Sequence, residues 1–165
     1  MDRTDAPRIN RNQWEMDAPL LHWEDLYGRI TERLFPLMTI AAVRWTTELF
    51  ESFLQVQEHT AIPVHLIHGD FGGSNILVDP QMGELTGVID FSSSHLNDPA
   101  IDLAAASTIE TDFLQRLRHT YPLADTAVRR IAFYRDTFGL QEALFGVETG
   151  DEMALQAGLA SIQGQ

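Results

Sequence analysis

The sequence predicts a mainly helical α+β domain with one small β-hairpin. Three observations predict it. Apolar residues recur at helical spacing over much of the chain, and two short apolar runs flank the turn Asp79-Pro80-Gln81-Met82-Gly83. A chain of 165 residues with 44% hydrophobic content is also long enough to close one core.

The first twenty residues mix charged residues, Asn and Pro without a period, so residues 1–20 are expected to form a flexible arm and 21–165 the folded domain. From Leu21 the spacing of Trp23, Leu26, Tyr27, Ile30 and Leu34 is helical until Pro36 ends or kinks the helix. A second helix is expected from about Leu37 to Gln57, with Ile40, Val43, Leu49, Phe50, Phe53 and Leu54 among its apolar residues. Val64 to Ile67 is too brief for a helix and ends in a polar, glycine-bearing stretch. Ile76 to Val78 reads as a strand and Leu85 to Ile89 as the strand returning antiparallel. A Ser-rich loop follows. Asp98-Pro99 then opens a helix, because an acidic cap satisfies free N–H groups and proline at the first helical position loses nothing. Helices are expected from Glu110 to His119 and from Asp125 to Phe138, with shorter pieces beyond Leu140.

Composition narrows the function. The formal charge of −13 disfavours nucleic acid as a partner, since phosphate binding needs clustered cations. It favours cationic small molecules, or serves solubility alone. No apolar run approaches the ~20 residues that span a bilayer, and the amino terminus does not read as a signal peptide. Without cysteine there is no disulfide framework, and a metal must be held by oxygen or imidazole. A cytoplasmic location fits these features.

Four separated pieces form one pattern: His68-Gly69-Asp70, Asn75, Ile89-Asp90-Phe91, and Asp98-Pro99 with Asp102-Leu103-Ala104. In this order, with a strand pair between Asn75 and Asp90, they resemble the catalytic loop and metal-binding segment of protein-kinase-like enzymes. The spacing also has a physical reading. Phosphoryl transfer needs a carboxylate that accepts the proton of the attacking hydroxyl, and oxygens that hold magnesium on the nucleotide phosphates. Asp70 suits the first task. A four-residue loop containing Gly72 and Gly73 can fold Asn75 back beside it, and the hairpin returns Asp90 to the same edge. Each residue also has a plainer reading: Asp70 and Asn75 as turn formers, Asp90 as a cap, Asp102 as a solvated helix residue. His68 reads as a loop-packing residue that hydrogen-bonds backbone.

The motifs H-G-D-x(4)-N, I-D-F and D-P-A-x-D-L-A, with the stretch Arg130 to Tyr134, are similar to aminoglycoside phosphotransferases and choline kinases. Protein kinases carry Arg between His and Asp, so they match less well. The resemblance runs from about Trp23 to the end. It implies the C-terminal lobe of a kinase-like fold whose hairpin carries the metal site, with Asp70 as catalytic base, Asn75 and Asp90 as magnesium and nucleotide ligands, and Asp102 as a brace for the catalytic loop. The implied cofactor is Mg²⁺ with ATP or another nucleoside triphosphate, and the implied partner is a small-molecule hydroxyl acceptor. Candidate acceptor-binding acids are Glu142, Glu148, Asp151 and Glu152.

All eleven basic residues are arginine, and the sequence has no lysine. The family's nucleotide-gripping lobe uses a strand lysine, so that lobe is expected to be missing here and the isolated chain to be inactive. An apolar floor around Ile76, Val78 and Val88 is then expected to meet the absent lobe or a second copy. Two other readings stay open: a non-catalytic binding module derived from the lobe, and a metal-dependent phosphoesterase borrowing His68, Asp70, Asn75 and Asp90.

Overall fold

The structure, a computed structural model, describes residues 19–57, 62–109, 112–120 and 125–163. The expected arm lies outside these residues up to position 18. Pro19 opens helix α1 (Pro19–Arg33), so helix begins inside the stretch assigned to the arm.

The predicted stripe of α1 is the one that packs: Trp23, Leu26, Ile30 and Leu34 are buried at intervals of three and four residues. Pro36 sits in a short 3-10 turn, Phe35–Leu37, that separates α1 from α2 (Ile40–Gln57). Helix α2 starts three residues later than expected because the Thr39 hydroxyl caps it, accepting the Ala42 N–H at 3.2 Å. Its buried line is Ala42, Thr46, Phe50 and Phe53, whereas Ile40, expected on the apolar face, is 86% exposed. An apolar residue in the first turn of a helix fell outside the contact with its neighbours.

The core is aromatic. Phe53 stacks on Phe133 with centroids 3.6 Å apart, Trp23 stacks on Tyr134 at 4.9 Å, and Tyr27 stacks on Phe50 at 4.8 Å. Pairs of this kind add roughly 0.5–1.5 kcal/mol each beyond their buried area. They join α1 and α2 to α5 (Asp125–Thr149), a single 25-residue helix where a shorter helix and further pieces were expected.

Gly139 and Gly146 lie inside α5. They are there for the packing of α6 (Glu152–Ile162). A Cβ on Gly139 would meet the Ser161 hydroxyl, and one on Gly146 would meet the Leu155 nitrogen. From the other side, a Cβ on Gly158 would strike the Ala143 nitrogen and come within 2.5 Å of the Gly139 carbonyl. Helix α4 spans Phe113–Thr120, and residues 110 and 111 of the expected helix lie outside the described residues.

Two small ribbons lie beside the helices. Strands β2 (Ile76–Val78) and β3 (Leu85–Val88) form the expected hairpin, in register Ile76 with Val88 and Leu77 with Gly87. Its turn is held by Asp79, whose Oδ1 accepts the N–H groups of Gln81 (2.7 Å) and Met82 (2.9 Å), with Gly83 at φ +69°. The second ribbon was not expected. Strand β1 (His65–Ile67) pairs antiparallel with β4 (His95–Asn97), so a strand lies between the Ser-rich turn and Asp98. Helix α3 (Ala100–Ala106) follows directly.

Candidate active site

The site is assembled where β1, the β2–β3 hairpin and α3 end near one another. Ile67 closes β1 as a buried residue, and the chain leaves it into His68, also buried. Gly69 has φ +82°, and a Cβ there would meet the Ser93 carbonyl oxygen. Both conformation and space exclude a side chain, which lets the loop press against the turn before β4.

His68 ties the loop to the hairpin. Its Nε2 lies 2.9 Å from the Ile89 carbonyl oxygen and its Nδ1 3.3 Å from the Asp70 backbone nitrogen. A carbonyl can only accept and an N–H can only donate, so the pattern requires the Nε2–H tautomer. Phe91 packs on the ring at a centroid distance of 4.7 Å.

Asp70 and Asn75 are brought together by the tight turn between them. Gly72 N–H donates to the Asp70 carbonyl (2.9 Å) and Asn75 N–H to the Gly72 carbonyl (3.0 Å). The Asn75 side chain is buried, and its Nδ2 donates to the Asp70 carbonyl (2.8 Å) and to Asp70 Oδ2 (3.0 Å). Two acceptors face that amide, so the facing atom must be the nitrogen. The planar amide therefore directs Oδ1 the other way. Asp70 is exposed, and among the described residues a hydrogen bond reaches one of its carboxylate oxygens, Oδ2.

The hairpin returns Asp90 to this edge. Beyond the Ile76–Val88 pair, the Ile89 N–H donates to the Asn75 carbonyl at 3.0 Å, which sets Asp90 one residue past Asn75's partner. Asp90 has φ 59° and ψ 68°, and is the one non-glycine residue at positive φ among the described residues. Such a conformation costs on the order of 1 kcal/mol for a residue with a Cβ and is retained where surroundings hold it. Here the holding group is Ser92, whose hydroxyl and N–H donate to Asp90 Oδ1 at 2.6 and 3.3 Å. Those two donors hold the Asp90 carboxyl below its ordinary value of 3.8, against a smaller opposing effect of desolvation. Ser92 was not singled out from the sequence; the signal available was a hydroxyl residue two positions after an Asp that ends a strand.

Asn75 and Asp90 thus present hard oxygen donors, an amide carbonyl and an ionised carboxylate, at neighbouring ladder positions. No group of three or more His, Cys, Asp or Glu that could hold a metal occurs among the described residues. The donor set fits magnesium, which is usually held by one or two protein oxygens together with substrate phosphates and water.

Asp102, in the first turn of α3, receives two backbone donors from the loop: His68 N–H on Oδ2 at 2.7 Å and Gly69 N–H on Oδ1 at 3.0 Å. Asp98 does more than cap α3. Its carboxylate is fully buried and accepts the Ala100 N–H (3.0 Å), Arg130 Nε (2.5 Å), Arg130 Nη2 (3.4 Å) and the Tyr134 hydroxyl (2.8 Å). Burial and the Asp98 carboxylate push the Tyr134 hydroxyl far above its ordinary value. Sequence reading named the cap and noted Arg130 and Tyr134 separately, but did not join them.

Three of the four late acidic residues have structural partners. Glu148 binds Arg29 through both oxygens (3.1 and 2.5 Å) and approaches Arg33 at 3.9 Å, which ties α5 to α1. Asp151 caps α6 by accepting the N–H groups of Met153 and Ala154, and Glu152 accepts from Gln156. Glu142 is exposed. Around the hairpin, Ile76 and Val88 are half-buried, whereas Leu77, Val78, Leu85, Ile89 and Phe91 are exposed.

A helical body with a short hairpin beside a braced His-Gly-Asp loop defines the C-terminal lobe of a kinase-like phosphotransferase. The GDP complex of wild-type aminoglycoside 2'-phosphotransferase-IIIa shares this fold with a TM-score of 0.78 at 22% identity, over 87% of this chain and 50% of that one. Macrolide 2'-phosphotransferase type I gives 0.70 at 23% identity, over 87% and 48%. Viomycin phosphotransferase of Streptomyces vinaceus is 34% identical over 148 residues, covering 87% of this chain and 50% of the relative. The profile of the phosphotransferase enzyme family matches residues 1–134, and the chain belongs to that family. It spans about half the length of the relatives it matches.

Proposed function

We propose that these residues form the catalytic half of a phosphotransferase that moves the γ-phosphoryl group of a nucleoside triphosphate to a hydroxyl of a cationic small molecule inside the cell. The observation that carries this reading is the Asp70–Asn75 hydrogen bond at 3.0 Å, placed where the hairpin returns Asp90. A turn former or cap has no need of the other two.

In this reading Asp70 is the base. The Asn75 amide holds Oδ2 and leaves Oδ1 to receive the acceptor's proton as the acceptor oxygen bonds to the γ-phosphorus and the bond to the nucleoside diphosphate breaks. Asn75 Oδ1 and the Asp90 carboxylate would hold magnesium, which supplies charge neutralisation on the phosphates when bound. Asp102 fixes the loop's backbone, so Asp70 is positioned before substrate arrives.

Relatives frame the substrates. One solved neighbour is a complex with GDP and kanamycin, and another a ternary complex with ADP and hygromycin B. The net charge of −13 favours a cationic acceptor of that kind. The exposed apolar residues Leu77, Val78, Leu85, Ile89 and Phe91 suit contact with a nucleotide-gripping half, whose lysine this lysine-free sequence does not supply.

The test combines the 165-residue chain with the complementary half of viomycin phosphotransferase, Mg²⁺, ATP or GTP, and a panel including viomycin, kanamycin and amino alcohols. Turnover that needs the added half and is lost in Asp70→Asn supports the reading. Turnover unchanged by Asp70→Asn refutes it.

A further inference from the structure

We infer that Arg130 and Tyr134 are positioning residues that set the catalytic loop from across the core, by fixing Asp98 and through it the short helix that carries Asp102. The inference rests on the proposed role of Asp70 for its consequence in catalysis, but the linkage itself is a matter of geometry.

Helix α3 has seven residues, too few to hold an orientation by its own backbone bonds. Its N-terminal end is held instead by Asp98. One carboxylate oxygen takes the Ala100 N–H and the other takes Arg130 Nε and the Tyr134 hydroxyl, so the helix start is bonded to α5 through a single buried side chain. Four residues after Asp98, one helical turn on, Asp102 uses both oxygens for the His68 and Gly69 N–H groups. His68 Nδ1 then accepts the Asp70 N–H. Three hydrogen-bonded links therefore run from α5 to Asp70. The far end is anchored in turn, because Tyr134 lies against Trp23 of α1 at 4.9 Å and Arg130 is only 4% exposed.

A pair that served only stability would not need this form. A buried carboxylate and guanidinium cost several kcal/mol to desolvate, and apolar residues of similar volume are often as stabilising. What the pair adds is direction: a bidentate guanidinium fork and a hydroxyl define where Asp98, and hence α3, can sit.

The experiment is residue-resolved amide hydrogen exchange on the full chain, which needs no turnover. Tyr134→Phe keeps the ring and its stack on Trp23 and removes one donor to a buried charge. We expect the His68 and Gly69 amides to exchange about tenfold faster, with amides of α5 and α6 changed much less. In an Asp102→Asn background, where those amides are already loosened, adding Tyr134→Phe should change them little, because the effect travels through Asp102. Uniform acceleration across the core, or a full effect of Tyr134→Phe without Asp102, would overturn the inference and leave a stability role alone. In the two-half assay Tyr134→Phe should lower kcat with the acceptor KM unchanged. Absence of any turnover there would count against the proposed function, while the exchange pattern still decides this linkage.

Discussion

Asp102 lies 34 residues beyond His68 in sequence, yet its Oδ2 stands 2.7 Å from the His68 backbone nitrogen while Oδ1 takes Gly69. Two amides of an irregular loop are thereby satisfied by one side chain. Replacing Asp102 with Ala leaves both without that acceptor and should destabilise the protein by roughly 1–3 kcal/mol. Asp70→Asn, on an exposed side chain, should be close to neutral. Urea denaturation measures both as shifts in midpoint at constant m-value; no shift for Asp102→Ala would remove the brace.

Two glycines in helices should respond in opposite directions to alanine. Gly28 in α1 has nothing within 4 Å of the place a Cβ would occupy, so Gly28→Ala should gain up to about 1 kcal/mol from helix propensity. Gly158 in α6 faces Ala143 and Gly139 backbone too closely for any Cβ, and Gly158→Ala should cost roughly 1–3 kcal/mol by forcing the helices apart. Thermal unfolding of the two variants reads the difference directly. Similar midpoints would mean that α5 and α6 are not packed this closely.

The same close approach explains what the sequence hid. The expected helix ended at Phe138, beside Gly139, and only the second helix lying on Gly139 and Gly146 makes them packing positions of one 25-residue helix. The hairpin was legible because its turn residues and the apolar runs beside them are local signals, and Asp79 and Gly83 act within five positions of each other. Strand β4 was not, since a three-residue His-Leu-Asn segment has no period and is a strand only because β1 lies beside it. The candidate site divides in the same way. Asp70, Asn75 and Asp90 were named together from their order and spacing and from the resemblance these carry. Arg130 and Tyr134, 32 and 36 residues from Asp98, could be joined to it only in three dimensions.

Asp90 offers a separation of stability from binding. At φ 59° a Cβ is strained and glycine is not, so Asp90→Gly should be more stable than Asp90→Ala by about 1 kcal/mol. Both remove the carboxylate, and both should lose Mn²⁺ binding equally. The measurement pairs urea denaturation with a Mn²⁺ titration. Equal stabilities would show that the left-handed conformation is not retained without the Asp side chain.

The proposed metal site should also carry a pH signature, and Ser92 should set it. Asp90 is held below its ordinary 3.8 first by the Ser92 hydroxyl and then by the Ser92 N–H. Because the folded value is depressed, the stabilisation from this carboxylate is present above 3.8 and is lost as pH falls through the lower, folded value. The same protonation removes the ionised oxygen that a hard cation needs. Mn²⁺ should therefore broaden NMR signals around Asn75 and Asp90 at neutral pH, and the broadening should fade on acidification, below the pH at which an ordinary Asp would lose it. Ser92→Ala removes the larger of the two donors and moves the Asp90 carboxyl back up. The pH at which broadening is lost should rise in that variant, while broadening at neutral pH persists because Asp90 remains ionised there. An unchanged midpoint in Ser92→Ala would detach Ser92 from the site, and broadening confined to residues away from Asn75 and Asp90 would refute the metal assignment itself.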